Sequence, residues 1–305
     1  MGLLEVHKVM PLVSIGIPTY NRPEGLRRTL ECITEQTYKN LEIIVSDNCS
    51  RTQETEEIVR EFMARDNRIQ YFRQKENYGM AFNFKFVLEK SSGDYFMLAS
   101  DDDLWDNSFI EKCLSPLINQ NSCSMAFSNF NTIDSYDQVI YDNTKPAIYS
   151  NRNKYFRLAK FLFFNESWGK GTLTYSLFRK ELTPFLLDFL KKNENSINVQ
   201  YPAEVCMLIN IIDHTDYNIV KETLFHKRWA KKIDTLGKSN PLPKYPYLFR
   251  PYLPPRFFIS YINALLDSTT SKKVHIIIII IMGIRFMIIL VQWYLVCIIT
   301  KLQKM

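Results

Sequence analysis

The stretch VSIGIPTYNRPEGLRRTLECITEQTYKNLEIIVSDN, residues 13–48, holds two short apolar runs separated by one amphipathic segment. Val13, Ile15 and Ile17 form the first run, a strand expected to stop at Pro18. Pro23 then suits the first turn of a helix, where its missing N–H removes a donor that the helix start leaves unbonded anyway. Leu26, Leu30 and Ile33 come next, at the spacing of one helical face. Residues 41–45 are almost continuously apolar, as expected of a strand covered on both faces.

The same alternation continues outward. Ser50 and Gln53 have the spacing of a capping box, and Ile58, Val59, Phe62 and Met63 line the next helix. Residues 69–72 read as a third strand, 80–88 as a third helix and 95–99 as a fourth strand. The pattern predicts an α/β fold, a Rossmann-like and mostly parallel sheet flanked by helices. Such sheets bind ligands at the carboxyl ends of their strands. Three polar clusters fall there: residues 18–22, residues 46–48, and the triplet Asp101, Asp102 and Asp103.

Beyond residue 106 the pattern loosens. Residues 245–255 are rich in proline and aromatics, and residues 274–300 are apolar except for His275, Arg285 and Gln292. The expected organisation is a catalytic domain over 1–230, a basic linker over 231–271 and a membrane-associated helical tail over 272–305. The tail is long enough to span, since a membrane helix needs about 20 residues. An interfacial helix with Arg285 snorkelling, or a buried core helix, are the other readings. The last is disfavoured because the apolar run is too continuous for one-sided burial.

The charge of +6 is unevenly placed. Residues 221–256 hold nine Lys or Arg against Glu222 and Asp234, a local +7. Beside an apolar tail this points to anionic membrane lipid rather than nucleic acid. The six cysteines form no C-x-x-C pair, which argues against a zinc site or a disulfide framework and for reduced thiols. Residues 1–10 show no secretory pattern, and Val6 stands where a myristoylation signal wants Ser or Thr. The expectation is a catalytic domain in the cytosol, on the cytoplasmic face of the membrane.

Three adjacent carboxylates repel one another, so a strand end that carries them calls for a compensating cation. Mg²⁺ and Mn²⁺ favour oxygen ligands and typically share them with substrate phosphates. The alternative is a solvated acidic turn capping the next helix.

Residues 13–22 resemble the opening of inverting family 2 glycosyltransferases, which have the GT-A fold. Residues 42–50 resemble the second strand of that family with its nucleotide-binding Asp. Asn77, Tyr78 and Gly79 with Asn83 resemble the next signature, and residues 93–103 resemble the metal-binding strand. Ser100 stands where many members carry Asp, and the triplet form resembles an abequosyltransferase-like branch. The resemblance implies transfer of a sugar from a nucleotide-sugar donor to a hydroxyl of a glycan or lipid-linked oligosaccharide, in bacterial surface polysaccharide synthesis. It implies a divalent metal, Mn²⁺ or Mg²⁺, on Asp102 with Asp103 or Asp101 assisting. Asp47 would accept a hydrogen bond from the donor's base. Pro18, Thr19, Tyr20, Arg22, Asn77, Gly79, Asn83 and Asp101 would border the nucleotide sugar, and Lys227 and Arg228, beside His226, its diphosphate. Glu204, early in a helix, would be the general base, with Asp213 a rival. Residues 169–179 would shape the acceptor site.

Residues 168–172 are no P-loop, since Asn165 stands where the required Gly should be. A sugar nucleotidyltransferase would open with a Gly-rich loop, and residues 18–22 contain no glycine. An inactive glycan-binding scaffold would not need the intact triplet.

Overall fold

The computed structural model describes residues 10–119, 123–143, 150–163, 170–192, 203–228, 262–263, 265–267 and 271–302. The contacts divide the chain into two units, Met1–Phe127 with Tyr175–Ile197, and Ser128–Thr174 with Asn198–Met305. The proposed linker, 231–271, lies almost wholly outside the described residues.

The first unit is the mixed α/β sheet of a GT-A fold. Its elements are β1 (Val13–Thr19), α1 (Pro23–Thr34), β2 (Leu41–Asp47), α2 (Glu54–Met63), β3 (Ile69–Arg73), α3 (Met80–Lys90), β4 (Tyr95–Leu98), β5 (Leu104–Trp105), α4 (Phe109–Asn119), the start of β6 (Cys123–Ile133), β8 (Leu177–Arg179) and α6 (Thr183–Lys192). The strand order is β3-β2-β1-β4-β8-β6. β1, β2, β3 and β4 are parallel, and β8 runs antiparallel to β4 and β6. The order therefore reverses between β1 and β4, where such sheets open a ligand crevice.

β1 is buried along its whole length. It runs through Pro18 to Thr19, past the expected stop, because proline's fixed φ suits extended backbone and only its N–H is lost from the ladder. A Cβ on Gly16 would lie 2.7 Å from Val87, so α3 packs tightly onto β1. The expected capping box is absent. Gln53 caps α2 without a side-chain bond, while Glu54, Glu56 and Glu57 complement the helix dipole in the first turn. Met63 is exposed rather than lining the core.

The second unit takes the rest of β6 with β7 (Val139–Asn143), α5 (Lys154–Phe163), α7 (Ala203–His214), β9 (Asp216–Arg228) and α8 (Lys272–Leu302). β6 and β7 form a hairpin with a register shift between Thr132 and Ile133. α7 is its core helix, buried from Val205 through Ile212. α5 packs on both α7 and α8. The C-terminal tail is thus one long helix with one-sided burial, which its continuous apolar sequence had concealed.

Candidate active site

The carboxyl ends of β1, β2 and β4 meet at the strand-order reversal. Register sets Thr19 opposite Asp47, and Asp47 opposite Arg73. The N–H of Ala99 donates to the Gly16 carbonyl at 2.9 Å, so the chain leaves β4 beside β1 and delivers the acidic triplet there.

Asp101 is buried. Its carboxylate accepts the Thr19 hydroxyl at 2.8 Å and the Arg22 guanidinium at 3.2 Å. The same Arg22 nitrogen donates to Asp102 at 2.5 Å, and the Ser100 hydroxyl takes the other Asp102 oxygen at 2.5 Å. Burial raises the Asp101 pKa to about 6, with Arg22 and Thr19 pulling the other way. The Asp102 side chain is 23% exposed. Asp103 is fully buried, and its carbonyl accepts the Thr29 hydroxyl at 3.2 Å. Arg22 hydrogen-bonds both Asp101 and Asp102, and the Asp103 charge acts on the same guanidinium through space.

These residues fit a hard divalent cation as a partial donor set. Two carboxylates converge on one positively charged group, the half-exposed Arg22, which stands where a cation would. Among the described residues no group of three or more His, Cys, Asp or Glu is arranged to hold a metal by itself. The set suits an ion that completes its shell with water and substrate phosphate.

α1 is the platform of this loop. A Cβ on Gly25 would lie 2.4 Å from the Asp101 carbonyl oxygen, and one turn on, Thr29 donates to the Ser100 carbonyl at 3.1 Å. Sequence reading missed both. Their only signal was two small residues four apart on the helix's inner face.

Asp47 is fully buried. It accepts the Ser50 N–H at 2.8 Å, the Tyr71 hydroxyl at 3.0 Å and the Arg73 guanidinium at 3.1 Å. A carboxylate offers roughly four acceptor sites. Tyr71 and Arg73 both take Oδ2, so the site left for a donor base is on Oδ1, beside the Ser50 N–H. Burial, and then the Asp47 charge, push the Tyr71 phenol well above its usual pKa.

Asn48 donates to the Asn77 side chain at 2.8 Å and to the Gly79 carbonyl at 3.0 Å, which ties the β3–α3 loop to the end of β2. Gly79 caps α3 at φ +88°, ψ 170°, backbone that a side chain strains. Tyr20, half-buried, has its phenol pKa lowered by hydrogen bonds from Asn77 and Asn21. Asn83 is buried and donates to the Thr19 and Ser46 carbonyls at 3.3 and 3.0 Å while accepting the Ser46 hydroxyl. It clamps the ends of β1 and β2 together. Asn21, left-handed at φ 55°, and Ser50 link the first two strand–helix loops through the Asn21 N–H at 2.8 Å.

In the second unit, Glu204 lies in the first turn of α7, half-buried, and a Cβ on Gly171 would lie 3.7 Å from its own. Among the described residues no hydrogen bond or ion pair engages its carboxylate. Asp213 is ion-paired with Lys154 at 3.2 Å. Lys227 and Arg228 end β9. The Arg228 guanidinium donates to the Asp134 carbonyl at 2.7 Å and to Asp137 at 2.5 Å, so it secures the β6–β7 turn. His226 meets the Asn131 side chain at 2.7 Å. Residues 168 and 169 lie outside the described residues; Lys170–Tyr175 is a 3-10 helix.

The sequence pattern of Glycosyl transferase family 2 matches residues 14–184, more than half of the chain. The putative teichuronic acid biosynthesis glycosyltransferase TuaG of Bacillus subtilis is 24% identical over 235 residues, 73% of this chain and 90% of TuaG. Glycosyltransferase GlyA of Streptococcus pneumoniae is 29% identical over 171 residues, 52% of this chain and only 24% of GlyA. S. aureus TarS 1-349 in complex with UDP-GlcNAc superposes with a TM-score of 0.53 at 12% identity, covering 85% of this chain and 66% of that one.

Proposed function

We propose, since this chain belongs to glycosyl transferase family 2, that it is an inverting, divalent-metal-dependent transferase of the abequosyltransferase-like branch. It moves a sugar from a nucleotide-sugar donor to a hydroxyl of a glycan or lipid-linked oligosaccharide, on the cytoplasmic face of a bacterial membrane. The observation that carries this reading is the Asp101–Asp102 pair converging on Arg22 at the strand-order reversal. TuaG, by its name, serves teichuronic acid synthesis, which supports a surface polysaccharide as product.

Asp102, the more exposed carboxylate, would hold the ion, assisted by Asp101; when bound, the ion offsets charge on the departing diphosphate. Thr19 and Ser100 keep the two carboxylates aimed. Arg22 gives up its place between them and turns to the diphosphate, a role the resemblance gives to Lys227 as well. Tyr20, Asn77 and Gly79 border the nucleotide, with Asp47 toward its base. Glu204, which no described residue engages, takes the proton of the acceptor hydroxyl as that oxygen bonds to the anomeric carbon and the carbon–phosphate oxygen bond breaks. The transition state has oxocarbenium character.

The test is a panel of nucleotide sugars, uridine-linked ones first because UDP-GlcNAc occupies the similar TarS, assayed with Mn²⁺ by thermal shift and donor hydrolysis. One donor should stabilise the protein by about 2.7 kcal/mol at 100 times its Kd and be hydrolysed only with metal. Binding without hydrolysis or transfer would make it a glycan-binding scaffold instead.

A further inference from the structure

The C-terminal helix divides by face. Val274, Ile278, Met282, Arg285 and Ile289 are buried, and α8 packs on α5 within one unit. Within that seam Arg285 donates to the Leu162 carbonyl at 2.6 Å. Leu162 lies in the last turn of α5, where a helix leaves carbonyls unpaired and carries its negative end. The other face is aliphatic and bare: Ile276, Ile280, Ile284, Met287 and Val291 are between 48% and 62% exposed.

We infer that α8 is an in-plane membrane anchor, held along α5 by Arg285, with its bare face laid on an anionic bilayer and without crossing it. This deepens the membrane reading above and is independent of the transfer chemistry.

Length argues against crossing. The seam from Val274 to Ile289 takes up about 22 Å of helix, and the remaining turns to Leu302 span about 20 Å at 1.5 Å per residue. The hydrocarbon core is about 30 Å thick. Crossing would require the seam to open and Arg285 to leave its carbonyl for lipid, where a charge is expensive. A soluble core helix would not leave five large aliphatic side chains open to water. Charge identifies the occupant. Residues 268–305 contain no acidic residue, but they include Lys272, Lys273, Arg285, Lys301 and Lys304, and the +7 run of residues 221–256 precedes them. That sign repels a second copy of the chain and attracts anionic headgroups.

The test floats the full chain with preformed vesicles of phosphatidylglycerol and phosphatidylcholine, and with phosphatidylcholine alone. Single variants Lys272→Cys and Lys301→Cys are then labelled from outside with an impermeant maleimide and read by peptide mass spectrometry. The expected result is flotation with the mixed vesicles, weaker by at least tenfold with phosphatidylcholine alone, and labelling of both ends. Ile280→Glu with Ile284→Glu should lower flotation at least tenfold at an unchanged melting temperature. Protection of Lys301→Cys alone would mean a spanning helix: the membrane reading would stand and the in-plane one would fall. Absence of flotation, with a dimer in solution, would overturn both.

Discussion

The two units bury charge of opposite sign. Among the described residues, the buried charged side chains of the first unit are Asp47, Asp101 and Asp103, and those of the second are Arg157, Lys170 and Arg285. The cations lie on backbone carbonyls: Arg157 on Ile212 and Asn151, Lys170 on Phe161, Arg285 on Leu162. Two of these carbonyls end α5, where a positive charge meets the helix dipole. They are closed, structural arrangements. Asp101, just after β4, differs, because its countercharge is Arg22, a side chain 55% exposed and able to leave. Buried charge that rests on backbone fastens a fold; buried charge that leans on a mobile side chain marks a site.

The sharpest way to break this comparison is to remove Glu204, a carboxylate that no described residue engages. Glu204→Gln should lower kcat by about 10²–10⁴, the scale of a lost general base, and leave donor affinity unchanged by calorimetry. Unchanged kcat would move the role elsewhere, with Asp213 freed from Lys154 as the next candidate.

Next in size is Asp102→Ala. Metal assistance contributes several kcal/mol to transition-state charge, so transfer should fall about 10³-fold, and Mn²⁺ binding followed by electron paramagnetic resonance should weaken. Asp103→Asn tests which neighbour assists Asp102: it should leave Mn²⁺ affinity within about threefold while lowering the melting temperature, since Asp103 is fully buried and the ion pairs of Arg22 go to Asp101 and Asp102. Equal losses of affinity in both variants would make Asp103 a ligand beside Asp102.

Gly25→Ala probes the platform. Its new Cβ would lie 2.4 Å from the Asp101 carbonyl, a backbone atom that gives way only by moving the loop. Overpacking of this kind costs about 1–3 kcal/mol, and here metal affinity should fall with stability. Gly171→Ala is the matched control in the second unit, since its Cβ would meet only the Glu204 Cβ at an ordinary 3.7 Å. Its melting temperature should stay within error.

The same contrast governs how much was legible in the sequence. The strand–helix alternation over residues 13–98 was readable because each buried strand is a short apolar run and each helix keeps one apolar face. Leu26, Leu30 and Ile33 are all fully buried as their spacing required. The acidic triplet was readable because its charges are adjacent in sequence. The Asp101–Asp102 pairing was not, because it depends on which side chains a bend turns inward. Gly25 and Thr29 went unread because they act through backbone atoms some seventy residues away. The one-sided burial of α8 was hidden for another reason: Val274 and Ile278 look the same in sequence as Ile276 and Ile280, and only Arg285 distinguished the docked face.

The smallest effect separates the two ends of the first unit's sheet. Glu42 sits at the opposite end from Asp101 and is fully provided for. It accepts the hydroxyl of Ser14, the N–H of Ser92 at 2.5 Å, the hydroxyl of Ser92 at 2.9 Å and the N–H of Gly93 at 3.1 Å. Burial alone would raise its pKa, but these donors outweigh burial and lower it. The stability it contributes is therefore present above the ordinary carboxylate pKa of about 4.5 and is lost as pH falls through its lower folded value. Asp101 has the reverse sign. Its pKa is raised to about 6, so its contribution is present below about 4 and is lost as pH rises through 6. Metal-free protein should thus keep Glu42's contribution and lose Asp101's at neutral pH. Glu42→Gln should cost about 1 kcal/mol at pH 7, the net worth of hydrogen bonds weakened when the acceptor loses its charge. It should flatten the melting curve's pH dependence below about pH 4.5 and leave Mn²⁺ affinity and kcat unchanged. Loss of Mn²⁺ affinity in Glu42→Gln would mean that this end of the sheet sets the geometry of the other, and that the division between fastening charge and site charge does not hold within the first unit.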